Sequence, residues 1–192
     1  MVNETRVVFI GDELVAGRGD PRAQGWTGRV IARTEPAAAT TAYVLAVPGE
    51  TTTALANRWE QEAKRRFSLE GPNRLVIGLG WSDLDAGVSV ARSRLNLANI
   101  LDRAANLHVP ALVTGPPPRR AEEEAQIAAY SNAFAEVAER RQTPYVEMLT
   151  PLSNHEQWLE DMTASGHTWP NQYGYGLMAW LVLNTHWADW LK

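Results

Sequence analysis

The chain has 192 residues, with 22 acidic and 18 basic side chains, four His and no Cys. That length suits one domain with a substantial buried core. The net charge of −4 argues against a nucleic-acid partner, and the lack of Cys excludes disulfides, thiolate metal sites and thiol catalysis.

The first apolar run, residues 6–10, reads as a strand and stops at Gly11-Asp12-Glu13-Leu14. At this length it is too short for a signal peptide or a membrane span, so the expected location is the cytoplasm. A second strand is expected over residues 42–47, stopping at Pro48-Gly49-Glu50. Leu55, Trp59 and Ala63 then recur at helical spacing. The third run, residues 75–79, stops at Gly80-Trp81-Ser82-Asp83, and Leu97, Ile100, Leu101 and Ala104 mark the next helix. The fourth run, residues 111–113, meets Gly115 and three prolines. Glu122, Glu123 and Glu124 suit the first turn of a helix whose apolar face is Ile127, Phe134, Val137 and Ala138. A fifth strand is expected around Tyr145 and Val146. The long connection over residues 147–169 is predicted to hold a short helix, with Ser153 and Glu156 as a capping box. Pro170 is expected to open the last helix, whose residues 177–183 are apolar on every side and read as deeply buried.

Short runs rich in Val, Ile and Leu, each stopped by Gly or Pro, read as strands buried on both faces. Strands alternating with helices imply right-handed βαβ units, hence a parallel sheet with helices on both sides and a single domain over residues 1–192. Ligands of such sheets bind beyond the carboxyl ends of the strands. Asp12, Glu13, Gly49, Trp81, Ser82 and Asp83 all lie there, and the long connection brings Asp161, His167 and Trp169 to the same edge. Glycines 11, 49 and 80 would let backbone amides come close to a ligand.

These segments, in this order, resemble the SGNH or GDSL-type hydrolases, a family of esterases and lipases. Phe9-Ile10-Gly11-Asp12-Glu13-Leu14 is similar to the family's Gly-Asp-Ser-Leu block, and Pro48-Gly49-Glu50-Thr51-Thr52 to its glycine block. Gly80-Trp81-Ser82-Asp83 is similar to Gly-x-Asn-Asp, and the stretch from Gly166 to Tyr175 to Asp-x-x-His followed by Pro-Asn-x-x-Gly-Tyr. The resemblance implies a flavodoxin-like three-layer α/β/α sandwich with a five-stranded parallel sheet in the order 2-1-3-4-5. It also implies acyl transfer to water by a Ser-His-Asp set, with an oxyanion hole from the Ser amide, the glycine amide and the Asn side chain, and no cofactor or metal.

The departures fall on the chemistry. Glu13 stands at the Ser position and Ser82 at the Asn position. Anchored on Pro170-Asn171, the alignment puts Gly166 at the Asp position and Trp169 at the His position. A two-residue insertion would instead make His167 the family's histidine, with Asp161 as its orienting acid. Glu13 would place a carboxylate near the Gly49 amide, filling the oxyanion hole with the protein's own anion.

Three readings follow. One is a family member with a degenerate catalytic set that binds a ligand or partner. A second is a hydrolase of small acyl esters using Glu13 and His167, with Gly49, Ser82 and Asp161 in support. The third is a flavodoxin-like module for an anion or cofactor. A cation held by Glu13 with Asp12 or Asp83 ranks below all three. Asp12, Asp83, Trp81 and Trp169 are expected to shape or wall the substrate site for a small ester, an acyl chain or a sugar, whereas Trp59, Trp180, Trp187 and Trp190 read as packing. Arg119 and Arg120 read as a solvated pair. His155 lacks the second His of a zinc-binding helix, and His108 and His186 read as structural.

Overall fold

The computed structural model describes residues 4–35 and 40–192. Five parallel strands form one sheet in the order β2-β1-β3-β4-β5. They are β1 (Thr5–Gly11), β2 (Thr40–Ala46), β3 (Asn73–Gly78), β4 (Ala111–Thr114) and β5 (Tyr145–Val146). The helices are α1 (Glu13–Ala16), α2 (Gly25–Arg33), α3 (Thr52–Lys64), α4 (Ser82–Asp85) and α5 (Val90–Asn106), then α6 (Glu124–Glu139), α7 (Leu149–Ser153), α8 (Glu156–Ala164), α9 (Gln172–Thr185) and α10 (Trp187–Leu191). Among the described residues no helix is long and apolar enough to cross a membrane.

Side chains alternate across a strand, so one run of apolar residues feeds two cores. Val7 and Phe9 face a core completed by Trp26 and Val30 of α2, Met178 and Val182 of α9, and Trp187. Val8 and Ile10 face the opposite core, with Leu55 and Trp59 of α3, Leu97 and Leu101 of α5, and Phe134 of α6. Phe9 meets the Trp26 ring edge-on at 5.7 Å and stacks on Trp187 at 6.2 Å, contacts of the kind aromatic pairs favour.

Register decides where function can sit. Gly11 pairs with Ala46 on one side and Gly78 on the other, Gly78 pairs with Thr114, and Thr114 with Val146. The carboxyl ends of all five strands are therefore level, and the segments that follow them emerge along one edge.

Several expectations need correction. β2 is an edge strand and no residue of it is fully buried; Val44 is exposed, because an outermost strand has a neighbour on one side only. The connection after β5 holds two helices, but the Ser153–Glu156 box does not form. The Ser153 hydroxyl donates back to the Leu149 carbonyl at 2.8 Å, and His155 occupies the N-cap of α8 without a side-chain bond. Asn171, not Pro170, caps α9, its Oδ1 accepting the Tyr173 N–H at 3.0 Å. Trp180, within the apolar stretch of α9, stands out into solvent. Three residues, Ala121–Glu123, form a 3-10 turn, so only Glu124 lies in the first turn of α6.

Candidate active site

β1 ends in a sharp turn that places two acids side by side. Asp12 caps α1, accepting the Leu14 N–H at 3.0 Å. Gly80 leaves the space this carboxylate needs, since a Cβ there would run into the Asp12 carboxylate. Glu13 is the first residue of α1 and is 6% exposed. Its Oε2 accepts the Gly49 N–H at 2.7 Å. Gly49 has φ +76°, a left-handed conformation that glycine adopts without a Cβ penalty. The Ser82 hydroxyl lies 3.3 Å from Glu13 Oε2 and 3.4 Å from Asp12 Oδ2, and its single proton can serve one of them at a time. Burial, and then the neighbouring Glu13 charge, push the Asp12 carboxyl above its usual range, against hydrogen bonds from Leu14, Gly80 and Ser82.

Glu13, Ser82 and Asp12 thus form one buried cluster, with the exposed Gly49 supplying an amide at its edge. The remaining sequence-predicted residues do different things. Asp83 accepts from the Thr52 N–H and the Thr52 hydroxyl, both at 2.7 Å, and from the Ser93 hydroxyl. It is 5% exposed and ties α3, α4 and α5 together, bracing the turn after β3. Asn96 extends this network to the hydroxyls of Thr52 and Thr53, both at 2.9 Å. Trp81 is 1% exposed, and its Nε1–H donates to the Pro117 carbonyl at 2.7 Å.

The Asp161–His167 pair is not made. Asp161 Oδ2 accepts the Asn171 N–H at 2.7 Å and the Gly174 N–H at 2.9 Å, serving orphan amides at the start of α9. His167 sits in the left-handed region (φ 58°), with Nδ1 3.0 Å from the Arg119 carbonyl. A carbonyl can only accept, so Nδ1 is the donor in this bond. Among the described residues no hydrogen bond joins His167 to Glu13. Trp169 is half-buried, with the Arg18 guanidinium 4.0 Å above its ring and Gly19 against its edge.

Sequence reasoning missed Arg18 and misread Arg119. Nothing in the spacing links Arg18 to Trp169, which lies far along the chain and meets it only in the folded state. Arg119 is no solvated residue: it bonds both oxygens of Asp85 (2.6 and 2.9 Å) and both of Glu123 (2.7 and 2.9 Å). The prolines before it signalled a stiff loop but not the acids it would meet. Among the described residues no group of three His, Asp or Glu side chains could hold a metal ion.

The strand-edge cluster joins residues of the first three motif segments, and the family model for GDSL-like lipases and acylhydrolases matches residues 9–177. The chain belongs to that family. Solved structures share its fold. The structure described as TesA has 21% identity and a TM-score of 0.78, with 94% of this chain and 97% of that one covered. A lipase/acylhydrolase from Enterococcus faecalis has 20% identity and a TM-score of 0.74, with 96% of each covered. The acetylxylan esterase Axe2 from Geobacillus stearothermophilus has 16% identity and a TM-score of 0.74, with 95% of each covered. No curated protein matches the sequence. Within this GDSL fold, the flavodoxin-like α/β/α sandwich and strand order are those that the resemblance implied.

Proposed function

We propose that this GDSL-family protein has given up serine-ester hydrolysis and works as a binding protein on a hydrolase scaffold. The reading rests on one observation, the Glu13 carboxylate accepting the Gly49 N–H at 2.7 Å. In the family that resemblance identifies, this amide stabilises the oxyanion of acyl transfer, and the side chain at position 13 is the attacking hydroxyl. Here one residue removes the nucleophile and also fills the hole with negative charge, which opposes a developing oxyanion. The same carboxylate speaks against an anion- or phosphate-binding module at this edge. Asp161, bonded to two backbone amides of α9, has no oxygen engaged with His167.

A second reading, hydrolysis of small acyl esters with Glu13 activating a water, draws on His167, whose Nδ1 rather than Nε2 is taken up by the Arg119 carbonyl. Hydrolysis of a short-chain aryl acetate by the parent and by Glu13→Gln separates the two. Equal rates, at the background level, are expected. Turnover in the parent that disappears in Glu13→Gln overturns the proposal and makes Glu13 a catalytic carboxylate.

A further inference from the structure

α9 has a second face that the strand-edge cluster does not use. Inward, it buries Tyr175, Met178, Ala179 and Val182. Outward, it shows Tyr173 and Trp180, which are 55% and 56% exposed. Seven residues make close to two turns, so both rings stand on one side of the helix, roughly 10 Å apart along its axis. Gly176 lies between them, and a Cβ there would meet nothing within 4 Å, so the gap is an open trough. The trough is part of a groove of about 480 Å³ between α9 and α2. Arg22 and Arg33 line the groove, together with the amides of Gln157 and Gln172. Arg29, also in its wall, is bonded to Asp20, but Arg22 and Arg33 are exposed and make no ion pair among the described residues. Among the described residues no acidic side chain lines the groove, on a chain whose net charge is −4.

We propose that this groove binds an acidic oligosaccharide of the uronic-acid type. Two spaced aromatic faces suit the C–H faces of sugar rings one disaccharide apart, and the glycine trough makes room for the ring between. The unpaired arginines suit carboxylates that a neutral sugar lacks, and the planar amides suit hydroxyls. A second copy of the chain is a poor occupant, because a two-fold contact would bring the same basic patch against itself. A nucleic acid is disfavoured by the charge of the chain as a whole.

Titration calorimetry of the whole protein with tetragalacturonate tests the proposal, beside neutral xylotetraose and a short oligothymidylate. Saturable binding of the uronide is expected, weakening as salt rises. It should be about tenfold weaker in Trp180→Ala and in Arg33→Gln, the scale of one aromatic face or one charged contact. Both side chains are exposed, and an unchanged melting temperature establishes that each variant is folded. The proposal is overturned if the uronide gives no saturable heat, if neither substitution weakens it, if xylotetraose binds as tightly, or if oligothymidylate displaces it.

Discussion

Replacing Glu13 by Gln removes one of two carboxyl groups that share a single hydroxyl and that repel once both are ionised. Both carboxylate oxygens lie within 3.4 Å of Ser82 Oγ. The charges are therefore no more than about 7 Å apart, worth roughly 2 kcal/mol of repulsion at an effective dielectric of about 20. Gln keeps an oxygen to accept the Gly49 N–H but gives up the charge assistance, a loss of about 1 kcal/mol. At pH 8 the variant should be more stable by about 1 kcal/mol, which for a chain of this size is roughly 2–4 °C in Tm. The pH dependence carries the sign. The raised Asp12 pKa means that the folded protein keeps a proton the unfolded chain has released. The parent therefore loses stability as pH rises from about 4 through the folded Asp12 pKa. In Glu13→Gln the Asp12 pKa falls and this slope flattens. Melts at half-unit steps from pH 5 to 9 should show a Tm advantage that is absent at pH 5 and grows with pH. A variant that is less stable at pH 8, or an advantage independent of pH, would refute the charge-pair argument.

Other outcomes follow from buried polar contacts elsewhere. Asp20→Asn should cost about 3–5 kcal/mol in chemical unfolding, because it leaves the buried Arg29 guanidinium without its counter-charge. Burial acting on Asp20 is outweighed by Arg29 and by the N–H groups of Arg22 and Gly25, which hold its pKa at about 2. The stability it contributes is thus full above about pH 4 and is lost as pH falls towards 2, a loss that Asp20→Asn should not show. Asp161→Ala should lower stability by about 1–2 kcal/mol through lost capping of α9, measurable by urea unfolding. Gly176→Ala should raise stability by about 1 kcal/mol, since the methyl meets open space and helix propensity improves; a fall in Tm would mean that the trough is not open.

The fold was legible because each strand is a short apolar run closed by Gly or Pro, and the level strand ends follow from parallel pairing. Burial was read less well. Composition does not tell an edge strand from a central one, so the sequence reads β2 as buried on both faces although it lies at the edge. α9 reads as buried all round because Leu177, Leu181 and Val182 share a segment with Trp180, and hydrophobicity alone does not reveal which side lacks a neighbour. At the site, the meeting of Glu13 with Gly49 was legible since both lie one turn beyond adjacent strands. The partners of Asp161 and His167 were not. A carboxylate in a long connection serves whichever unsatisfied amides lie nearest, and here those belong to the start of α9 rather than to an imidazole.

One long-range bond bears on how the protein is made. The Tyr175 hydroxyl donates to the Arg18 carbonyl at 2.6 Å, joining α9 to the loop just after α1 across 157 positions. Phe9 and Trp26, from the first strand and second helix, are likewise covered by Trp187 and other residues near the carboxyl terminus. While the chain is being synthesised, this side of the sheet is covered only in part until α9 and Trp187 leave the ribosome. The first loop of the strand-edge cluster is secured only then. A ribosome that stalls before α9 would release a product with all five strands and a partly uncovered aromatic surface, a natural target for chaperones and proteases.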